Sequence, residues 1–156
     1  MIKFDKEKLE RRYKRIYHQL QELLLKTESK TARMATVTAL LHHKIPHFFW
    51  TGFYVLIDEE LTIGPYQGPL ACQVLEKNKG ICWAGLEQKK TIIVPDVHKY
   101  PGHIACDSRS NSEIVVPLLD LNKDNQAWAV LDVDSQKFEA FSEIDKDWLE
   151  KIVKLI

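Results

Sequence analysis

The stretch Glu113-Ile-Val-Val-Pro-Leu-Leu-Asp-Leu-Asn-Lys-Asp-Asn-Gln-Ala-Trp-Ala-Val-Leu-Asp-Val-Asp134 holds two apolar runs on either side of a polar segment. The β-branched and aromatic residues in the two runs are typical of strands. The Asp and Asn residues at 120–125 are typical of a turn, because their side chains bond to nearby backbone groups. The stretch therefore predicts a β-hairpin that pairs residues 113–119 with residues 126–134.

Three carboxylates lie on this predicted hairpin. Asp132 and Asp134 are two residues apart on one strand, so they point to the same side of the sheet, and Glu113 opens the partner strand. Carboxylates that face water are the commoner arrangement. These two, however, follow the apolar run 127–131, and a crowded carboxylate is costly without a partner. A cluster of three would raise at least one pKa, and it could then both hold a proton and accept a cationic amine.

Helical periodicity marks both ends of the chain. Apolar residues recur at helical spacing in residues 5–25 and again between Ser29 and Pro46, which predicts two helices near the N-terminus. A last helix is predicted to begin at Ser142-Glu-Ile-Asp145, which has a capping-box pattern. The middle of the chain predicts further elements: strands at 48–57, 61–64, 71–75 and 91–94, a short helix at 80–88, and loops at 64–69 and 95–112.

These elements predict an α+β fold, with an antiparallel sheet and the N-terminal and C-terminal helices packed on one of its faces. We expect a single domain over residues 1–156. Its parts are the N-terminal helices (1–46), a core that carries the chemistry (47–141) and the C-terminal helix (142–156).

Composition excludes several classes of protein. Lys plus Arg and Asp plus Glu both number 22 in the 156 residues, which argues against nucleic acid or an anionic membrane as the partner. No apolar run reaches the roughly 18 residues of a membrane span, and the charged first ten residues do not resemble a signal peptide. We therefore expect a cytoplasmic protein. Its 3 cysteines then argue against a framework of structural disulfides, and leave burial, metal binding and catalysis open.

One cysteine has an exposed sequence context. Cys106 lies in the polar loop 95–112, and long loops in compact domains are commonly functional. Inert burial is nevertheless the commoner state of a single cysteine. The backbone N–H groups of residues 108–112 could bind a carboxylate. Asp96, His98, His103 and Cys106 could in principle bind zinc, but their spacing matches no standard zinc motif, so we expect no metal site.

Two aromatic residues, Trp50 and Tyr54, are four positions apart on the first predicted strand and so share a side. Packing in the core is the usual role of aromatic residues in strands. The residues alone do not distinguish that role from the wall of a binding site.

Several motifs together resemble one known family. The stretch His98-Lys-Tyr-Pro-Gly-His-Ile-Ala-Cys-Asp-Ser-Arg-Ser-Asn-Ser-Glu-Ile-Val-Val-Pro117 resembles the signature of the free methionine-(R)-sulfoxide reductases, which are single-domain members of the GAF fold. Similar motifs follow the family's order from about Phe49 to Phe141: Trp50-Thr-Gly-Phe-Tyr54, Gly64-Pro-Tyr-Gln-Gly68, Ala71-Cys72, Gly80-Ile-Cys82 and Val130-Leu-Asp-Val-Asp-Ser135. The chain departs from the family at Trp83, where a small residue, commonly glycine, follows the cysteine.

The resemblance implies a GAF-like fold and thiol chemistry without a bound cofactor or metal. By this resemblance Cys106 is the nucleophile that attacks the sulfoxide sulfur. Cys72 is the main resolving thiol, and Cys82 is an alternative resolving or shuttling thiol. The enzyme would reduce free L-methionine-(R)-sulfoxide, and a thioredoxin-type protein would then reduce the resulting disulfide.

The resemblance also assigns the binding residues. Glu113, Asp132 and Asp134 would accept the substrate's ammonium group and protonate the sulfoxide oxygen, while Trp50 and Tyr54 would form a wall around the methylsulfinyl group. A homodimer is compatible with this family. The alternative is a GAF module that senses a small ligand without chemistry. Such a sensor would normally act on an attached output domain, and it would not need three cysteines around one pocket.

Overall fold

The computed structural model describes residues 3–103 and 106–156, so Ile104 and Ala105 of the signature motif lie outside the described residues. Its helices are α1 (Lys3–Leu24), α2 (Lys30–Lys44), α3 (Gly80–Gln88) and α4 (Glu143–Val153). Its strands are β1 (Trp50–Ile57), β2 (Glu60–Gln67), β3 (Ile92–Val94), β4 (Ser112–Asp120) and β5 (Gln126–Ser135), with one 3₁₀ turn at Val97–Lys99. The strands form one sheet in the order β2-β1-β5-β4-β3, and every neighbouring pair is antiparallel.

The predicted hairpin lies at the centre of this sheet. Strand β5 pairs with β4 on one side and with β1 on the other. In this register Asp134 lies between Glu113 on β4 and Trp50 on β1, which places these three residues in one row across the sheet. Asp132 lies two residues along β5 from Asp134, in the next row on the same face, opposite Val115 and Gly52. Since all these positions share one face, the register brings the three carboxylates together.

The two faces of the sheet are covered differently. Helices α1, α2 and α4 pack on one face, against a core that includes Phe53, Ile114 and Leu131. This confirms the prediction that the terminal helices share a face. The other face carries α3 and a second core cluster that contains Trp50 and Tyr54. Among the described residues, none of the helices is both long and apolar enough to span a bilayer.

The structure corrects two predictions between β1 and α3. Strand β2 continues through residues 64–67, part of the segment 64–69 that its glycines and prolines predicted to be a loop. The strand tolerates Pro65 because β2 is an edge strand, where a missing N–H removes no ladder bond on the open side. The strand predicted at 71–75 does not form, and this segment makes only an isolated bridge between Val74 and Thr62.

One buried carboxylate connects α4 to the rest of the helical layer. Asp145 is fully buried in the first turn of α4 and accepts a hydrogen bond from the Ser142 backbone N–H at 2.8 Å. It also accepts a hydrogen bond from the Tyr13 hydroxyl at 2.7 Å and lies 3.3 Å from Nε2 of His47. These hydrogen bonds, chiefly those with His47 and Tyr13, outweigh the opposing effect of burial and lower the pKa of Asp145.

We expect Asp145→Ala to lower the free energy of unfolding by about 3 kcal/mol. The change removes a helix cap, which is worth about 1 kcal/mol, and leaves the buried Tyr13 hydroxyl unpaired, which costs roughly 1–3 kcal/mol. Because the folded state lowers the pKa of Asp145, its contribution is complete above the ordinary value of 3.8 and is lost as the pH falls through the folded pKa. Urea denaturation measures the effect. The exposed Asp147→Ala on the same helix is the control, with a change within about 0.5 kcal/mol.

Candidate active site

A pocket opens on the α3 face of the sheet and contains about 610 Å³ of empty space, counted out to its mouth. It brings together these residues predicted from the sequence: Trp50, Tyr54, Cys82, Cys106, Glu113, Asp132 and Asp134. Cys72 joins them through a disulfide bond to Cys106. All eight predicted site residues therefore meet at one place.

The disulfide joins two segments that are distant in the chain. Cys72 and Cys106 are separated by 34 positions, and their Cα atoms lie 5.7 Å apart. Cys82 remains a free, buried thiol in the first turn of α3. This is the pairing that the sequence resemblance implied. Burial raises the pKa of the Cys82 thiol, and the neighbouring carboxylates add to the effect, so Cys82 is a poor source of thiolate.

The aromatic wall also anchors the segment that carries Cys72. The Tyr54 hydroxyl donates a hydrogen bond to the backbone oxygen of Cys72 at 3.1 Å. The Trp50 indole N–H donates to the backbone oxygen of Pro69 at 3.0 Å. The two aromatic residues therefore line the pocket and also fix the backbone beside one of the sulfur atoms.

A third aromatic residue, which the sequence analysis missed, supports this wall. Tyr66 stacks on Trp50 with ring centroids 5.5 Å apart and an interplanar angle of 20°, and Tyr54 stacks on Trp50 at 6.0 Å. Gly52 makes this arrangement possible, because a Cβ there would lie 2.6 Å from Cη2 of Trp50. The motif at 64–68 contains Tyr66, but the glycines and prolines of residues 64–69 predicted a loop there, so Tyr66 was not placed on a strand.

The three carboxyl groups form the polar side of the pocket. Glu113 is 5% exposed and Asp132 is 7% exposed. Burial raises the pKa of Asp132 to about 6. Burial, together with the charge of Asp132, also raises the pKa values of Glu113 and Asp134 well above their usual range. The raised pKa values of Glu113 and Asp134 favour their protonated forms, so these two groups can act as acids.

One carboxyl oxygen in this cluster has no partner. Oδ1 of Asp132 is buried and accepts no hydrogen bond from the residues that the structure describes. A buried acceptor left in this state costs roughly 1–3 kcal/mol. A ligand that brings a positively charged donor to this oxygen would recover that cost. The pocket is therefore suited to a small cation such as an ammonium group.

We expect Asp132→Asn to flatten the dependence of stability on pH between about 4 and 6. The folded state raises the pKa of Asp132 to about 6, so the folded protein binds the proton more tightly than the unfolded chain. Stability therefore falls as the pH rises from the unfolded value toward 6, and an amide at this position cannot lose a proton. Thermal unfolding at a series of pH values measures this. The same slope in the variant and the wild type would contradict a raised pKa, and the exposed Asp147→Asn is the matched control.

Two further polar residues, His103 and Ser110, line the pocket and were not among the predicted site residues. Nδ1 of His103 lies 3.9 Å from Oε2 of Glu113. Burial and the nearby His98 lower the pKa of His103, which favours its neutral form. In the sequence His103 was noted only as a possible zinc ligand and as a member of the signature motif.

Three of the five backbone N–H groups at residues 108–112, which the sequence offered as a possible carboxylate site, already have partners within the protein. The Arg109 N–H donates to the Asp107 side chain at 2.9 Å, and the Ser110 N–H donates to the Asp107 backbone oxygen at 3.3 Å. The Asn111 N–H donates to the backbone oxygen of Ser135 at 2.8 Å. These three N–H groups are already engaged, so they are not free to bind a ligand.

The four potential zinc ligands of this region do not converge. The Asp96 side chain accepts a hydrogen bond from the His98 N–H, and the His98 ring bonds to Asn111 at 2.8 Å. Cys106 is in the disulfide. In the part of the chain that the structure describes, the residues that do converge are Cys82, Glu113 and Asp132, whose ligand atoms lie within 4.8 Å of one another.

The sequence departure at Trp83 affects the core rather than the pocket. Trp83 is 5% exposed and belongs to the core cluster on the α3 face. Its indole N–H is buried without a partner among the described residues. Trp83 packs in this core and is not among the described residues that line the pocket.

Comparison with known proteins gives consistent results. The family model of the GAF domain matches residues 33–156. GAF domain-containing protein A of Dictyostelium discoideum is 44% identical over 156 residues, which cover 99% of this chain and 96% of that protein. A free methionine-R-sulfoxide reductase of Escherichia coli is 40% identical over 122 residues, 78% of this chain and 72% of that protein. The X-ray structure of free methionine-R-sulfoxide reductase from Neisseria meningitidis in complex with its substrate has a TM-score of 0.86 and 35% identity, and the match covers 92% of this chain and 84% of that one.

Proposed function

The chain belongs to the GAF domain family and, within it, to the free methionine-(R)-sulfoxide reductases, and we propose that it reduces free L-methionine-(R)-sulfoxide to methionine in the cytoplasm. The observation that carries this proposal is the Cys72–Cys106 disulfide in a pocket that also holds three buried carboxyl groups. Sulfoxide reduction by thiols needs these two components, a pair of cysteines and a proton donor. The proposal treats residues 1–156 as one domain, which is supported by the core that α1, α2 and α4 share with the sheet.

The pocket offers a partner for each part of the substrate. The ammonium group would lie against the carboxyl cluster, where Oδ1 of Asp132 has no partner among the described residues. The methylsulfinyl group would pack on the stacked rings of Trp50 and Tyr54. The carboxylate would lie at the first turn of α3, whose Gly80 and Ile81 line the pocket and whose positive end attracts anions.

The reaction begins from the reduced enzyme. The Cys106 thiolate attacks the sulfoxide sulfur, and a protonated carboxyl of the cluster donates its proton to the sulfoxide oxygen. Methionine leaves, and the oxygen remains on Cys106 as a sulfenic acid. The Cys72 thiol then attacks the Cys106 sulfur, which forms the disulfide and releases water. In the disulfide the Cα atoms lie 5.7 Å apart, a separation typical of this bond.

The roles of Cys82 and of the external reductant follow from the burial of each thiol. Cys72 rather than Cys82 resolves the sulfenic acid, because the Cys82 thiol is buried and its pKa is raised. A thioredoxin-type dithiol reduces the Cys72–Cys106 disulfide by exchange and returns the enzyme to its starting state. The side-chain hydrogen bonds of Trp50 and Tyr54 to the backbone oxygens of Pro69 and Cys72 hold the segment 69–72 in place during this exchange.

An assay of substrate choice tests the proposal. The enzyme, thioredoxin, thioredoxin reductase and NADPH are mixed with free R-sulfoxide, free S-sulfoxide or a peptide that contains methionine sulfoxide. We expect NADPH consumption with the free R form and background rates with the other two. Tight binding of the free R-sulfoxide without production of methionine would contradict the proposal and favour a ligand-sensing module.

A further inference from the structure

Three atoms that commonly bind zinc meet at the base of the pocket. Sγ of Cys82 and one carboxylate oxygen each from Glu113 and Asp132 lie within 4.8 Å of one another. All three side chains are buried. Zinc in proteins takes Cys sulfur and carboxylate oxygen at about 2.0–2.3 Å, so small side-chain adjustments would bring all three into contact with one ion.

The burial of Asp132 and an oxygen of its side chain without a partner among the described residues distinguish this cluster from acidic residues that lie close together on a surface. Asp132 is 7% exposed, and its Oδ1 accepts no hydrogen bond from the described residues. The residue also lines the pocket, and because Oδ1 itself is covered, an ion would reach this oxygen after a small movement of the side chain. A bound cation would satisfy the oxygen and offset the repulsion between the carboxylates.

We propose that Cys82, Glu113 and Asp132 form an inhibitory site for a thiophilic divalent cation of the zinc class, which competes with the ammonium group of the substrate. On binding, the metal forms a bond to the Cys82 sulfur and the thiol proton is released to solvent, with no oxidation or reduction. Carboxyl protons leave in the same way. The competition rests on the proposed function, whereas the binding of the metal does not.

The oxidised protein gives the cleanest test of binding. Two of the chain's 3 cysteines are then in the Cys72–Cys106 disulfide, so Cys82 is the only free thiol. Titration with Co²⁺ should give a thiolate-to-metal absorption band that saturates at one ion per chain, and Zn²⁺ should displace it. The affinity should rise with pH, because burial raises the pKa of Cys82 and its proton must leave.

Variants identify the ligands. Cys82→Ser should abolish the thiolate band. Asp132→Asn should weaken binding by ~10–100-fold or more, since even residues that only support a ligand have effects of this size. Asp107→Asn, which changes a carboxylate of the same pocket outside the cluster, should keep the band. Circular dichroism confirms that each variant is folded, and Cys82→Ala serves as a second test at that position. The absence of a thiolate band in the wild type, or equal affinities of Asp132→Asn and Asp107→Asn, would overturn the site.

The competition has its own measurement. Pre-reduced enzyme, freed of excess reductant, is mixed with sulfoxide at several concentrations with and without Zn²⁺, and the methionine formed in one turnover is quantified. Zn²⁺ should raise the substrate concentration needed for half-maximal rate, and EDTA should reverse this. Metal binding with no effect on that concentration would overturn the competition. Metal binding by a protein that reduces no sulfoxide even without metal would support the site and count against the proposed function alone.

Discussion

Cys106→Ser should abolish sulfoxide reduction even in a single turnover. A serine hydroxyl has no accessible anion near neutral pH, so it cannot replace the thiolate as a nucleophile toward sulfur. The substitution is nearly isosteric and also prevents the disulfide with Cys72. The measurement is methionine formed per mole of pre-reduced enzyme, expected to be about one for the wild type and background for the variant.

Cys72→Ser is the matched variant for this experiment, because it removes the other sulfur of the same disulfide. It should still form about one methionine per enzyme but fail to turn over with thioredoxin, since the sulfenic acid on Cys106 has lost its resolving partner. Turnover of Cys106→Ser at a rate close to the wild type would refute the assignment of the nucleophile. A stoichiometric burst from Cys106→Ser and none from Cys72→Ser would exchange the two roles.

Asp134→Asn and Glu113→Gln should lower kcat by ~10²–10⁴-fold, the usual effect of removing a general acid. Both residues lie in one row of the sheet, and burial together with the charge of Asp132 raises both pKa values. The amides cannot donate the proton, and they also attract the ammonium group less, so KM should rise as well. Steady-state kinetics with free R-sulfoxide separates the two effects.

A stability measurement distinguishes this catalytic role from damage to the fold. Removal of a buried, raised-pKa carboxylate relieves a cost of folding, so the amide variants should unfold at the same temperature as the wild type or higher near neutral pH. The N-acetylated sulfoxide, which lacks the ammonium group, should be a poor substrate of the wild type. The amide variants should discriminate less between the free and the N-acetylated sulfoxide. Equal wild-type rates on the free and N-acetylated sulfoxides would remove the amine-binding role.

Local patterns in the sequence determined most of the secondary structure. Helix α2 begins after Ser29 and α4 begins with the Ser142–Asp145 capping box, as predicted, because caps and helical periodicity act over a few residues. The central hairpin also formed as predicted, with its turn between Asp120 and Gln126. The predictions were wrong at residues 64–67, where an edge position allowed a strand despite local turn residues. They were also wrong at residues 71–75, where the predicted strand did not form and the Cys72 backbone oxygen bonds to the Tyr54 side chain instead.

The sequence by itself determined the family, the α+β fold and the residue types of the site, since these follow from motifs and from periodicity along the chain. Only the tertiary structure decided which of these groups meet. The register of β5 between β1 and β4 brings Trp50, Asp134 and Glu113 into one row. The same packing buries the carboxyl groups and raises their pKa values, and it seats Tyr66 behind Trp50. Pairing of distant strands and loss of water depend on the whole fold, so no local pattern of residues could specify them.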